Sequence, residues 1–252
     1  MKRISVLFLS FCLLPQFFYA ESKYLFDYAQ DFYSKVPLPE SDDADFQKEL
    51  AFDFSSLPDG MTPLMAACKK GLLSDVEYVL SFGAEINATD SDGWTALMYA
   101  ARFQEESGIV KLLLSKGADC SLRNKFGITA LTIAVLYNDN PAVTQSLLEP
   151  FSADSDDVRR AFFWGVSNSQ NTELLQLFVE KKVSLNVPFE GKTPLMRACE
   201  FSRSEKVIEW LLEKGASKYQ VEATTGMTAF DYARKNKNLS SEFIYRALDP
   251  NS

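Results

Sequence analysis

The chain has 252 residues, of which 46% are hydrophobic and 24% charged, proportions that exclude disordered and collagen-like classes and allow one or two globular domains or an elongated array. It contains no histidine, which excludes Ser-His-Asp and Cys-His nucleophile pairs and HExxH zinc sites. Its net charge is −8, and because no long Lys/Arg cluster is present to attract phosphate backbones, we expect no nucleic-acid partner.

Residues 1–20 have the layout of a secretory signal peptide that is cut after Ala20. A Lys-Arg pair starts the segment, and an uninterrupted apolar run follows over residues 4–14. This run is shorter than the roughly 20 residues that span a bilayer. We therefore expect export, to a periplasm or to the medium. Two alternatives stay open: an uncleaved membrane anchor over residues 4–20, and a lipoprotein that is lipidated at Cys12.

Residues 21–56 precede the first recurring unit and begin with aromatic side chains at helical spacing. Three aromatic residues recur at i, i+4 from Tyr24 to Phe32, which predicts an amphipathic helix. The acidic stretch at 37–45 predicts a linker. We interpret the whole segment as a capping helix followed by an acidic linker, and we place the start of the repeats at residue 57.

A short segment that starts with Thr recurs through the rest of the chain. The copies begin at 62, 95, 129, 193 and 228 and read TPLMAAC, TALMYAA, TALTIAV, TPLMRAC and TAFDYAR, and a degenerate copy, RAFFWGV, begins at 160. An apolar run that closes with Gly-Ala, such as VKLLLSKGA, follows several copies. Thr is a good helix N-cap, and Gly suits the left-handed residue that ends a helix. Each unit therefore predicts two consecutive helices.

These residues resemble the ankyrin repeat, and the resemblance covers residues 57–252. It implies an all-α, right-handed solenoid of about six stacked helix-turn-helix units with connecting β-hairpin loops, since one unit alone has too small a core. The family's His after Thr-Pro-Leu is replaced in three copies by Met65, Met98 and Met196, so we expect apolar contacts there. The degenerate copy predicts a malformed hairpin before residue 160.

Motifs for metal, nucleotide or catalysis are incomplete or are explained by the repeat. The Gly-Lys-Thr at 191–193 lacks the upstream Gly of a phosphate-binding loop, and the Asp-rich turn at 89–93 lacks the Glu that completes a calcium loop. When the repeat copies are aligned, each alignment position forms a column. Cys68 and Cys199 fall in one column of small, packed residues, and Cys120 replaces an apolar residue in another. We therefore expect buried thiols. We predict no catalytic residue, cofactor, metal or small-molecule substrate.

The predicted hairpin tips carry large apolar side chains that a solvated turn does not need for folding. The resemblance places partners at these tips and on the exposed side of the first helices. We therefore predict a non-enzymatic module that binds another protein through this concave face, because exposed apolar patches rich in Trp, Tyr and Arg mark interfaces. Alternatively, the tip side chains fold back onto neighbouring hairpins. The candidate binding residues are Met61, Trp94, Arg102, Phe126, Ile128, Tyr137, Phe189 and Met227.

Two other functions stay open. If the N-terminal segment is not cleaved, the chain is a membrane-tethered structural or protective factor, and only then does it contact a membrane. The lesser alternative is an effector with an unrecognised activity in residues 21–56 or 149–166, because the repeat explains the fewest residues of those segments.

Overall fold

The structure is a computed structural model that describes residues 60–250, in which twelve helices follow one another in six helix-turn-helix pairs. We call the first helix of each pair the inner helix and the second the outer helix. The predicted signal peptide and the predicted cap and linker at 21–56 lie outside the described residues. The pairs are α1 (Pro63–Lys70) with α2 (Leu73–Ser81), α3 (Ala96–Phe103) with α4 (Gly108–Ser115), α5 (Ala130–Tyr137) with α6 (Pro141–Leu148), α7 (Asp156–Asn168) with α8 (Thr172–Glu180), α9 (Pro194–Phe201) with α10 (Glu205–Glu213), and α11 (Ala229–Lys235) with α12 (Ser241–Leu248).

Threonine caps five of the inner helices at the positions that the sequence predicts. The side chain of Thr62 accepts a hydrogen bond from the backbone N–H of Met65 at 3.3 Å. A cap of this kind stabilises a helix by about 1 kcal/mol. The same bond, to the N–H three residues along, is made by Thr95, Thr129, Thr193 and Thr228.

The third residue of the inner helix returns a hydrogen bond to the capping threonine in three units. The sulfur of Met65 accepts the N–H of the threonine of its own helix at 3.3 Å, and the sulfur of Met196 does so at 3.5 Å. In the last unit a carboxylate oxygen of Asp231 accepts the same N–H at 2.9 Å. The expectation of apolar contacts is incomplete for Met65 and Met196, which are buried and whose thioether sulfur also completes a reciprocal cap.

Several outer helices are followed by a residue with left-handed backbone. Gly83, Gly117 and Gly215 have φ values of 78°, 90° and 94°, as the Gly-Ala pattern predicts. In the fourth unit Lys182 occupies this column with a φ of 68°. A residue with a Cβ is strained in this region by roughly 1–2 kcal/mol, so Lys182 is a local weak point of the fold.

The degenerate unit begins with additional helix where the other units have a hairpin. Helix α7 has 13 residues, whereas α5 has 8. Ser155 caps α7 by accepting the N–H of Val158 at 3.3 Å, and Asp156 and Asp157 lie in the first turn, where negative charge favours the helix dipole. As a result Arg160, which occupies the threonine column, lies inside the helix.

Side-chain amides join successive inner helices. The Nδ2 of Asn138 donates to the carbonyl oxygens of Ala101 and Gln104 at 3.0 and 2.8 Å. Asn236 donates to two carbonyls of the fifth unit in the same way, at 3.1 and 2.8 Å, and Gln104 donates to the carbonyl of Cys68. Each buried amide satisfies the end of the preceding helix, so the units support one another.

The apolar core lies between the two helices of each pair and between neighbouring pairs. The predicted outer-helix positions Val76 and Val110 are fully buried. In α7, a Cβ at Gly165 would lie 2.7 Å from Cγ1 of Val135 and 3.0 Å from Cδ2 of Leu175. The absence of a side chain at Gly165 therefore allows the degenerate unit to approach its neighbour closely.

Candidate partner-binding surface

Trp94, a predicted anchor at a hairpin tip, is only 5% exposed. Asp90 Oδ1 accepts the backbone N–H groups of Asp92 and Trp94, both at 2.8 Å, and Asp90 Oδ2 accepts the hydroxyl of Tyr99 at 2.8 Å. The indole ring lies 5.3 Å from the ring of Tyr99. The expectation that Trp94 projects into solvent is wrong, because the tip folds around the Asp90 carboxylate and packs the ring inward.

The other predicted tip residues are half-buried. Asn124 Oδ1 accepts the backbone N–H groups of Phe126 and Ile128, each at 3.0 Å. The ammonium group of Lys235 lies 3.2 Å from the sulfur of Met227. The half-buried set is Met61, Phe126, Ile128, Phe189 and Met227.

Arg102 and Tyr137, two further predicted residues, belong to one cluster of stacked side chains. The guanidinium carbon of Arg102 lies 4.5 Å from the ring centroid of Tyr137 and 5.3 Å from that of Phe103. The Nζ of Lys69 lies 5.7 Å from the centroid of the same Phe103 ring. Burial, and to a lesser extent the charge of Arg102, lowers the pKa of Lys69 to about 8. We call Lys69, Arg102, Phe103 and Tyr137 the Arg102 cluster, which spans the first three units.

A second cluster surrounds Arg197, whose side chain is 8% exposed. Its guanidinium carbon lies 4.2 Å from the ring centroid of Phe201 and 5.1 Å from the centroids of Phe163 and Trp164. Burial lowers the pKa of Arg197 to about 10, and two nearby glutamates oppose this shift. We call Phe163, Trp164, Arg197 and Phe201 the Arg197 cluster, which joins the fourth and fifth units.

Phe189 connects its hairpin tip to the Arg197 cluster. Its ring centroid lies 5.5 Å from that of Phe163. The guanidinium carbon of Arg160 lies 5.2 Å from the Phe189 centroid, and Arg160 Nη1 donates to Glu190 Oε1 at 3.2 Å. The structure thus brings one predicted tip residue against the inner helix of the fourth unit.

The sequence prediction did not include the Arg197 cluster, although a signal for it is present. Trp164 and Arg197 occupy the same column, four residues after the threonine column, and Tyr99 and Tyr232 occupy it in the second and last units. The first unit carries the small Ala66 in this column, whereas four later units carry larger side chains. This change of size could have identified the Arg197 cluster from the sequence.

The prediction also omitted the most exposed apolar residues of the last two tips. Val187, Tyr219 and Val221 are 45%, 62% and 58% exposed. Each tip is closed by one isolated β-bridge, between Phe189 and Lys192 in one and between Val221 and Thr228 in the other. The tips were aligned on the Gly and Thr that begin each unit and on the residue between them. Val187, Tyr219 and Val221 lie outside these positions and were therefore missed.

The thiols and carboxylates of residues 60–250 form no group that could hold a metal ion. Cys68 and Cys199 are fully buried, as predicted, whereas Cys120 is half-buried. Burial raises the pKa of the Cys68 thiol to about 12 and also raises that of Cys199. In the same part of the chain, every helix is too short or too polar to cross a membrane.

Known proteins similar to this chain carry the same repeats. The family model described as "Ankyrin repeats (3 copies)" matches residues 36–124, 104–186, 131–225 and 162–248. Rabankyrin-5 from Mus musculus is 33% identical over 164 residues, which are 63% of this chain and 14% of that protein. The chain therefore matches about a seventh of the length of this relative.

Solved structures show the same architecture. A chain in the complex of the Bd0816 predatory endopeptidase from Bdellovibrio bacteriovorus with the immunity protein Bd3460 is 28% identical, with a TM-score of 0.62, over 77% of this chain and 100% of that chain. The ankyrin repeat domain of Bcl-3 is 24% identical, with a TM-score of 0.63, over 76% of this chain and 86% of that chain. The match of the family model and the six stacked helix pairs lead to one conclusion: the chain belongs to the ankyrin repeat family.

Proposed function

We propose that the chain is an exported module that binds a partner protein through the Arg102 cluster, the Arg197 cluster and the last two hairpin tips. Ankyrin repeats are typically non-enzymatic interaction scaffolds, and one similar solved chain belongs to a complex of two proteins. The observation that carries the choice of face is the repeated arrangement of an inner-helix arginine against three aromatic rings.

The physical chemistry of the two clusters favours binding. Arg, Tyr and Trp are the residue types that most often supply a large share of interface energy. A side chain that is already stacked loses little rotamer freedom when a partner arrives, so less conformational entropy opposes association. The exposed Val187, Tyr219 and Val221 add apolar area at the last two hairpin tips.

The test compares two double variants in a pull-down from the exported fraction. Tyr137→Ala/Phe201→Ala removes one ring from each cluster. The matched control, Tyr78→Ala/Phe82→Ala, removes an exposed ring pair of the first outer helix whose centroids are 4.8 Å apart. We expect the control to retain the partner and the cluster variant to lose it. If the cluster variant folds, by circular dichroism, and retains the partner, the proposed face is wrong.

Export is the second part of the proposal, and it is supported by the signal-like residues 1–20. Mass spectrometry of the mature chain is the test. A free N-terminus at Glu21 supports export with cleavage, whereas Met1 retained in a membrane pellet supports a membrane-tethered factor instead.

The similarity to a chain of the Bd0816–Bd3460 complex favours a narrower candidate: an immunity-type protein whose partner is an exported endopeptidase. The match covers the whole of that chain. Purified protein should then reduce the peptide hydrolysis of the exported fraction of its own cell, and Tyr137→Ala/Phe201→Ala should not. Unchanged hydrolysis at saturating protein would exclude this candidate and leave the wider one in place.

A further inference from the structure

Arg102 differs from most arginines of residues 60–250 because its guanidinium contacts rings and no acid. No carboxylate of the described residues lies within 4.0 Å of its nitrogens. Four other arginines each form an ion pair with a carboxylate, although one of those pairs lies within a single helix. The pairs are Arg123 with Asp157, Arg159 with Asp156, Arg160 with Glu190, and Arg246 with Glu209.

The geometry of the Arg102 cluster determines which part of the guanidinium is available. The guanidinium carbon lies 4.5, 5.3 and 5.8 Å from the centroids of Tyr137, Phe103 and Trp94. Ring contacts of this kind use the faces of the guanidinium plane, while its N–H donors point outward in that plane. A planar guanidinium fork matches a carboxylate, which can accept two parallel hydrogen bonds.

The charges around Arg102 also favour an anion. Lys69 places a second cation over the ring of Phe103, and the proximity of the two positive charges is unfavourable. The carboxylate of Asp90, in the tip that carries Trp94, already accepts two backbone N–H groups and the hydroxyl of Tyr99. The chain is acidic overall, with 34 Asp and Glu against 26 Lys and Arg, yet Arg102 forms no ion pair with a carboxylate of the described residues.

We propose that the Arg102 cluster binds a side-chain carboxylate in an acidic segment of the partner protein, with the acid in the plane of the guanidinium and its neighbouring carbon chain against Tyr137. This inference rests on the proposed function, because it assigns a partner chemistry to the same face. The rings supply desolvated apolar contact, and the arginine supplies the polar specificity.

The experiment selects random 12-residue peptides, displayed through their C-termini so that no free carboxylate ends the probe, on the immobilised full chain. Affinities of the best peptides and of their Glu→Gln or Asp→Asn forms are then measured on four proteins: wild type, Arg102→Gln, Arg102→Lys and the control Arg203→Gln, an exposed arginine without a described contact.

We expect the selected peptides to contain an acid whose neutralisation weakens binding at least tenfold on wild type and on Arg203→Gln, but less than twofold on Arg102→Gln. Arg102→Lys retains the charge without the planar fork and should retain only part of the effect. Because lysine conserves the long stem, this variant keeps the test valid if Arg102→Gln unfolds.

Two results separate the failures. If the peptides bind, are weakened by Tyr137→Ala, and lose equal affinity on wild type and Arg102→Gln when their acid is neutralised, the carboxylate assignment is overturned while the proposed face survives. If binding is insensitive to both Tyr137→Ala and Phe201→Ala, the proposed face fails, and this inference fails with it.

Discussion

The side-chain Nδ2 of Asn138 donates a hydrogen bond to the backbone carbonyl of Ala101 in the preceding repeat, at 3.0 Å. The same amide donates to the carbonyl of Gln104 at 2.8 Å. Asn138 is 8% exposed, so water cannot readily replace it. The end of one inner helix is therefore completed by the next repeat, which explains physically why the units depend on one another.

Removal of this amide should destabilise the chain strongly. Asn138→Ala leaves two buried carbonyls without their donor, and we expect the free energy of unfolding in urea to fall by about 2–3 kcal/mol. Asn168→Ala is the control, because Asn168 is exposed and bonds only within its own helix, and it should cost no more than about 0.5 kcal/mol. Equal losses for the two variants would contradict the role assigned to Asn138.

A methyl group at Gly165 should disturb the contact between the third and fourth units. The added Cβ would meet Val135 and Leu175 at 2.7 and 3.0 Å, so Gly165→Ala should lower the free energy of unfolding by about 1–3 kcal/mol through overpacking. Gly108→Ala is matched to it: a helical glycine whose added Cβ meets nothing within 4 Å. It should be neutral or stabilising by up to about 1 kcal/mol.

Lys182→Gly should stabilise the fourth unit. The substitution relieves roughly 1–2 kcal/mol of left-handed strain and adds about 0.4–1 kcal/mol of chain entropy to the unfolded state, so we expect a net gain of about 0.5–1 kcal/mol in urea unfolding. Lys214→Gly, at a φ of −81°, relieves no strain and should be destabilising. A loss of stability in Lys182→Gly would show that the side chain makes a contact stronger than the strain.

The buried thiols should react far more slowly than Cys120. A pKa of about 12 for Cys68 leaves roughly one thiolate in 10,000 at pH 8, because a raised pKa favours the protonated form. Native protein treated with iodoacetamide at pH 8 should therefore be modified at Cys120 first, as measured by peptide mass spectrometry. Modification of Cys68 or Cys199 at the same rate as Cys120, without denaturant, is inconsistent with their burial.

Much of the fold could be predicted because the residues that begin and end the helices recur at fixed positions of the repeat. Thr62 and its counterparts cap the inner helices, and Gly83 and its counterparts end the outer helices, since both effects are local. The longer α7 also has a local cause, the Ser155-Asp156-Asp157 start, but a search for repeat columns does not detect it. The reciprocal cap by Met65 depends on the conformation of its side chain, which the residue type at that position of the repeat does not determine.

The candidate surface was less predictable, because a column gives the position of a residue but not the direction of its side chain. Trp94 and Ile128 occupy the same position of the repeat, and a side-chain oxygen of Asp90 or Asn124 accepts the backbone N–H of each. Trp94 also packs against the ring of Tyr99 and is buried, whereas Ile128 is half-buried. Arg197 is a similar case, since its three rings come from two different units. Contacts between repeats determine these orientations.

Hydrogen–deuterium exchange of the mature chain with and without its co-purified partner tests the binding face most directly. We predict that binding slows exchange of backbone amides in 99–104, 134–138 and 197–202, which carry Arg102, Phe103, Tyr137, Arg197 and Phe201, and leaves the outer helices α4 and α10 unchanged. Protection limited to α4, α10 or the other outer helices, with the cluster segments unaffected, would place the partner on the opposite side and contradict the proposal.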